Sequence, residues 1–199
     1  MTAPRPAALA MLAMLAVLYV LACASPAIAQ TTSARVSKLF YGVSGGPGRG
    51  TVTGGIFALP EGAPPPDTNR RTVTLGLFGG VKLADAVGVL VVWDQTFGGK
   101  SSYGQWGSTA ASVAGRLWLT HRVYVEAGGG LAELGYKPPT QTSGRISRFW
   151  SPGFETAAGV DLLKGPRVAL TTLARYSAAT FDGLRVRNFS VQIGLSGSP

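Results

Sequence analysis

The feature that most constrains the fold of this chain is a period-two alternation of apolar and polar residues. In residues 72–83 (TVTLGLFGGVKL), Val73, Leu75 and Leu77 share one set of alternating positions, and Thr74 shares the other set with small residues. This pattern predicts a β-strand with one apolar and one polar face. The same alternation returns in residues 87–97, 112–119, 123–131, 154–162, 168–176 and 189–195. The sequence therefore predicts seven strands in succession, with no helical segment between them.

An eighth strand is predicted between Arg35 and Leu59, at residues 36–44, with a glycine-rich continuation to Phe57. The proline-rich residues 60–71 are expected to form a loop inside one domain. Short links alternate with longer polar ones, except that the last link is short. The short links are residues 84–86, 120–122, 163–167 and 181–183, and the longer ones are residues 98–105 and 137–148. This alternation is typical of outer-membrane barrels, in which short turns face the periplasm.

The first 29 residues have the layout of a bacterial secretory signal. Arg5 precedes the uncharged residues 7–24, and Ala27 and Ala29 form a small-x-small cleavage motif. We therefore expect a signal peptide over residues 1–29 and a barrel domain over residues 30–199. The alternative is an uncleaved membrane anchor, although the apolar run is at the short end of the roughly 20 residues that a spanning helix needs.

Cys23 is the only cysteine of the chain and lies inside this segment. Together with Val20, Leu21 and Ala22 it resembles a lipoprotein box, so lipidation at Cys23 is an alternative to cleavage after Ala29. After cleavage the mature chain has no cysteine, hence no disulfide and no Cys-ligated metal.

The mature chain is basic but sparsely charged. It keeps 17 of the 18 Lys and Arg residues, all but Arg5, and all 9 Asp and Glu residues, a net charge of +8. A nucleic-acid binder would gather its basic residues on one face. Export also disfavours nucleic acid as a partner.

The segment GRLWLTHRVYVEAGGG contains the only histidine, between an arginine and a glutamate. A two-residue loop here would set apolar side chains of one strand beside polar ones of the next. A three-residue loop centred on His121 instead pairs Leu119 with Val123. The same register places Arg116 opposite Glu126 on the polar face, which predicts an ion pair.

The next hairpin repeats this arrangement. If Val160 lies opposite Leu170, both apolar faces match and Glu155 lies opposite Arg175. Inside a narrow barrel such pairs are structural, because an unpaired buried charge costs several kcal/mol. The alternative is two solvated pairs on a soluble sandwich, worth about 0 to 1 kcal/mol each. That alternative would leave a large apolar patch exposed to water.

Three segments carry a resemblance to a known family: GRLWLTHRVYVEAGGG, GLFGGVKL and NFSVQIGLSG. They resemble the OmpA/OmpX-like family of small outer-membrane β-barrels. The resemblance implies an all-β fold, an eight-stranded antiparallel up-and-down transmembrane barrel in the outer membrane. It also implies a monomer inserted by the barrel-assembly machinery, although such proteins usually end on an aromatic residue and this sequence ends in LSGSP.

Many basic residues fall in or next to the predicted outer loops. They are Arg49, Arg70, Arg71, Lys100, Lys137, Arg145, Arg148, Arg185 and Arg187. Arginine forks match phosphate geometry. We take six of them as candidate contacts to outer-membrane lipid, including lipopolysaccharide phosphates: Arg70, Arg71, Arg145, Arg148, Arg185 and Arg187. General solvation of the loops is the alternative.

No catalytic, cofactor or metal site is predicted. His121 falls in a tight turn on the periplasmic side with no acid beside it, and general acid–base work needs groups within hydrogen-bond reach. One histidine and scattered carboxylates give no ligand cluster for a metal. We therefore expect a side-chain-filled barrel with a structural, adhesive or lipid-contacting role. The alternatives are a lipocalin-like ligand-binding barrel, with the apolar face inside, and an outer-leaflet lipid A hydrolase that uses His121.

Overall fold

The computed structural model describes residues 38–54, 70–98, 105–137, 147–165, 167–181 and 184–197, which form eight strands. The strands are β1 (Lys38–Gly54), β2 (Arg70–Ala84), β3 (Val87–Gly98), β4 (Gln105–Trp118), β5 (Val123–Lys137), β6 (Ser147–Lys164), β7 (Val168–Phe181) and β8 (Leu184–Gly197). Each strand pairs antiparallel with the next, and β8 pairs with β1 to close the barrel. The predicted all-β, eight-stranded, up-and-down fold is confirmed.

Two sequence-based expectations concern the N-terminal part of the chain. The signal peptide over residues 1–29 and lipidation at Cys23 both lie outside the described residues. Within the described residues, no helix has the length and apolar character needed to cross a membrane.

The two ends of the barrel differ in their connections. At one end, here called the turn end, residues 85–86, 119–122 and 165–167 join consecutive strands, and β1 begins and β8 ends there. At the other end, the loop end, residues 55–69, 99–104, 138–146 and 182–183 complete the connections. This is the predicted alternation of links, including the short last one.

The two faces of the wall differ sharply in character. Arg116 is 5% exposed and its neighbour Leu117 is 44% exposed, so the polar face points into the lumen and the apolar face points outward. Every strand exposes at least one large apolar side chain: Leu39, Tyr41, Val43, Val73, Leu75, Leu77, Leu83, Val91, Trp93, Phe97, Val113, Leu117, Val125, Leu131, Trp150, Phe154, Leu162, Leu163, Val168, Phe189, Val191, Ile193 and Leu195. We call this set the apolar belt. The lipocalin-like alternative would place the apolar face inside, and the observed packing is the opposite.

Strand β1 includes the glycine-rich continuation that the sequence predicted. The strand was expected at residues 36–44 with a continuation to Phe57; β1 runs from Lys38 to Gly54, and residues 36–37 and 55–57 lie outside the described part. The glycine-rich stretch belongs to the strand because several of its glycines leave room for neighbours. A Cβ on Gly50 would overlap the ring of Trp106, which enters the lumen from β4. Glycine is depleted in strands generally, so propensity alone understates this segment.

The register between β6 and β7 differs from the predicted one. Val160 was expected opposite Leu170, but it lies opposite Thr172, and a bulge interrupts the pairing between Asp161 and Leu163. Because a shift of two residues keeps every side chain on its own face, apolar alternation does not distinguish the two registers. The predicted direct pairing of Glu155 with Arg175 is therefore wrong.

We expect Gly46→Ala to destabilise the folded barrel by about 1–3 kcal/mol, because the new Cβ would overlap backbone atoms of Val191 and Gln192. Gly79→Ala is the matched control, since a Cβ there meets nothing within 4 Å. Urea unfolding of the refolded barrel in micelles, followed by tryptophan fluorescence, measures both variants. Equal midpoints for the two variants would show that β1 is not held as tightly as its backbone contacts indicate.

Candidate functional site

Four charged side chains of the lumen, Asp94, Arg116, Glu126 and Arg175, form one network around Arg175 on β7. Its Nη1 donates to both carboxylate oxygens of Asp94 at 2.7 Å, and its Nη2 donates to Oε2 of Glu126 at 3.2 Å. Asp94 lies on β3, which is four strands from β7 in a ring of eight, so the ion pair crosses the whole lumen. The three residues are between 3% and 6% exposed. A buried charge-assisted network of this kind fixes the relative positions of the strands that carry it.

Arg116 on β4 extends the network on the other side of Glu126. Its Nε donates to Oε1 of Glu126 at 2.7 Å, and its Nη2 lies 2.5 Å from the same oxygen. Arg116 and Glu126 are direct cross-strand partners, which confirms the register predicted for this hairpin. Glu126 thus binds one arginine with each of its oxygens.

Four aromatic rings surround the guanidinium of Arg116. Its central carbon lies 4.2 Å from the ring centroid of Tyr124, 4.8 Å from Phe78, 4.9 Å from Phe40 and 5.5 Å from Trp118. We call these four rings the aromatic collar. A desolvated cation–π contact contributes about 2 kcal/mol, so the collar holds the charge where water does not reach it. Arg116 therefore fills the turn-end half of the lumen.

Glu155 does not pair with Arg175 as the sequence predicted. The observed register places Glu155 opposite Ser177 and Arg175 opposite Ala157. Glu155 is buried in the lumen and accepts a hydrogen bond from Ser112 Oγ at 2.6 Å. The side chain points inward as expected, but its hydrogen-bond donor comes from β4.

Asp94 is the functional residue that the sequence reasoning missed as an ion-pair partner. Its alternation with Trp93 already places it on the polar face of its strand. Register rules relate neighbouring strands only. A contact between β3 and β7 follows from closure of the barrel, which no single hairpin pattern contains.

A neutral polar layer lies next to the charged network. Asn188 on β8 is surrounded by three threonines of β2 and β3: Thr72, Thr74 and Thr96. Its Oδ1 accepts from Thr72 at 3.0 Å, and its Nδ2 lies 3.1 Å from Thr74 Oγ1 and 3.3 Å from Thr96 Oγ1. Each polar group of this amide has a partner, as burial requires.

The loop-end half of the lumen is apolar. Its buried cluster consists of Val52, Trp106, Ala132, Leu134, Ala179, Phe181, Leu184 and Val186. Side chains from five of the eight strands, β1, β4, β5, β7 and β8, therefore meet there. Apolar packing at the loop end of the lumen excludes water from the charged network.

His121 lies at the turn end and is exposed. Its backbone oxygen accepts a hydrogen bond from Lys164 Nζ at 2.7 Å, and the turn is closed by a 2.8 Å bond from Leu119 N to Val123 O. In the described part of the chain, no group of three His, Cys, Asp or Glu residues is placed to hold a metal ion.

Comparison with known proteins gives matches in structure. No protein-family model matches the sequence, and no curated protein matches it. The Neisserial surface protein A matches with a TM-score of 0.61 and 14% identity, covering 79% of this chain and 96% of that one. Ail, the attachment invasion locus protein of Yersinia pestis, matches with a TM-score of 0.52 and 14% identity, covering 81% of this chain and 99% of that one.

A second structure of Ail, in complex with the heparin analogue sucrose octasulfate, matches with a TM-score of 0.52 and 15% identity, covering 81% of this chain and 99% of that one. The chain has the fold of a small outer-membrane β-barrel. The resemblance predicted from the sequence is confirmed at the level of the fold.

The candidate lipid-contacting arginines of this barrel are placed differently from one another. Arg71, Arg185 and Arg187 are exposed at outward-facing strand positions near the loop end. Arg70 is half-buried at the alternate position, on the side of the wall that faces the lumen. Arg148 belongs to β6, and Arg145 lies outside the described residues.

We expect Arg175→Ala to destabilise the barrel by about 3–5 kcal/mol, because it leaves Asp94 and Glu126 buried with one partner fewer. A double-mutant cycle with Asp94→Ala should give a coupling energy of about 0.5–3 kcal/mol. The matched cycle with Glu155→Ala should give a smaller coupling, since Glu155 bonds to Ser112 instead. Urea unfolding measures both cycles, and a larger coupling to Glu155 would show that Asp94 is not the stronger partner of Arg175.

Proposed function

We propose that the protein is an outer-membrane barrel that conducts no solutes and displays its loop end at the cell surface. The observation that carries this proposal is the distribution of residues across the wall. All eight strands expose large apolar side chains, while Arg116, Glu126, Arg175 and Asp94 are buried in the lumen and paired. An apolar surface of this extent is unfavourable in water. A hydrocarbon layer around the barrel satisfies it, and the alternating wall is the pattern of transmembrane barrels.

Closure of the lumen supports the absence of a channel. The aromatic collar, the charged network, the layer around Asn188 and the loop-end apolar cluster follow one another along the axis. A cavity beside Ser112 and Glu155 has a volume of about 40 Å³, room for a few water molecules, and one beside Thr96 and Trp106 near the loop end has about 270 Å³. Eight strands enclose a space that side chains can fill.

The role we propose is structural and adhesive, with no catalytic step. In the outer membrane the turn end faces the periplasm and the loop end faces outward, as short turns and longer loops do in such barrels. The matched Ail is by name an attachment protein, which favours surface contact for these loops. Export by a signal peptide and insertion as a monomer by the barrel-assembly machinery belong to the same proposal.

Fractionation of cells that produce the full chain tests the location. We expect the protein in the outer-membrane fraction, with faster gel migration before boiling than after it. The control is a variant with Leu75→Arg and Leu77→Arg, which adds two charges to the apolar belt and should impair insertion. Recovery of the wild-type protein in the soluble fraction would contradict the proposal.

Planar-bilayer recording tests the closed lumen. Wild-type barrel should add no steady conductance to that of the lipid alone, because charged and apolar side chains fill the lumen. A variant with Trp106→Ala and Phe181→Ala, which removes two large side chains of the loop-end cluster, should show more frequent current steps. A stable open channel in the wild-type protein would overturn the assignment as a closed barrel.

A further inference from the structure

Four arginines form a patch on the outer face of the barrel near the loop end. They are Arg49 on β1, Arg71 on β2, and Arg185 and Arg187 on β8, and all four are exposed. The three strands are neighbours in the order β8, β1, β2. Since adjacent strands lie about 4.7–4.9 Å apart, the patch spans about 10–15 Å of the wall. We call it the arginine patch.

The arginine patch adjoins the apolar belt. Arg71 is two positions beyond Val73 on β2, and Arg187 is two positions beyond Phe189 on β8. Arg49 lies directly opposite Phe189. In a membrane, the last apolar residues of each strand mark the edge of the hydrocarbon layer. The arginines therefore lie at the depth where lipid headgroups begin.

The charges of the patch are not balanced by the described acidic residues. Arg49 and Arg71 are direct cross-strand partners, and like charges in that arrangement are destabilising. The described acids lie elsewhere: Asp94, Glu126, Glu155 and Asp161 are buried in the lumen, Asp85 is at the turn end, and Glu133 is on β5. Strand β5 lies on the side of the ring opposite β1. An anion from outside the described chain would offset the repulsion.

We propose that the arginine patch binds phosphate groups on the headgroup of a lipid in the outer leaflet. Arginine presents a planar fork that matches phosphate oxygens in pairs. Basic clusters at the edge of a bilayer recognise anionic headgroups in this way. Two opposed arginines with Arg187 beside them suit a headgroup that carries more than one phosphate. This inference rests on the proposed location in the outer membrane.

The test uses the full chain refolded in maltoside micelles, which carry no phosphate. The probe is lipid A with both phosphates, compared with the same lipid after enzymatic removal of its phosphates, and binding is measured by native mass spectrometry. The test variant is Arg49→Gln with Arg71→Gln. The control variant is Arg122→Gln with Arg167→Gln, which removes the same charge from exposed residues at the turn end.

We expect the wild-type barrel to bind phosphorylated lipid A and to prefer it over the dephosphorylated lipid. The Arg49 and Arg71 variant should bind about tenfold more weakly or worse, while the control changes by less than about twofold. Arg49→Lys with Arg71→Lys should fall between, because lysine keeps the charge but loses the fork. Gel mobility before and after boiling confirms that each variant is folded.

Three results would overturn the proposal. Equal loss in the test and control variants would mean a general effect of net charge. Equal binding of both lipids by the wild-type barrel would mean that the phosphates are not recognised. Displacement of the lipid by stoichiometric sucrose octasulfate or inorganic pyrophosphate would assign the patch to a soluble polyanion. Fractionation and bilayer recording are independent of these results, so the proposed function is tested separately.

Discussion

The structure depends on one buried guanidinium, that of Arg175, and on the requirement that a narrow lumen leave no charge unpaired. An eight-stranded ring encloses a space that side chains must fill, and a charge there is costly without a partner. Arg175 meets this requirement by binding Asp94 and Glu126, and Glu126 binds Arg116 in turn. The network therefore joins β3, β4, β5 and β7. Apolar and aromatic side chains at the two ends of the lumen keep water from these pairs and so strengthen them.

The register of the hairpins shows what can and cannot be predicted from sequence patterns. Alternation alone assigns each residue to a face, and turn length adds the register, which is why Arg116 opposite Glu126 was predictable. The same reasoning placed Glu155 opposite Arg175, two residues from the observed register. A two-residue shift leaves the faces unchanged, so only the bulge after Asp161 distinguishes the registers. Bulges are local backbone features with little signature in an alternation pattern.

The contact across the lumen depends on closure of the barrel and could not come from local patterns, and closure also explains the glycines of β1. The contact of Asp94 with Arg175 crosses the lumen, and its two strands are far apart in the chain order. Strand β1 was the weakest prediction because glycine favours strands poorly. Gly50 is accommodated there because the ring of Trp106 occupies the space that a side chain would take. Both features depend on side chains that non-neighbouring strands place in the lumen.

Acidic and basic side chains are distributed differently between the lumen and the exterior of the barrel. Among the described residues, the buried charged side chains are the acids Asp94, Glu126, Glu155 and Asp161 and the bases Arg116 and Arg175. These buried side chains are four acids and two bases, whereas Arg49, Arg71, Arg185 and Arg187 are exposed on the outer face. Positive charge on the outside of a barrel in hydrocarbon is expensive except near the interfaces. The exposed arginines of β1, β2 and β8 lie next to the apolar belt, where the cost would be low in the proposed membrane location. The same alternation that pairs the lumen charges thus also sets these arginines on the outer side of the wall.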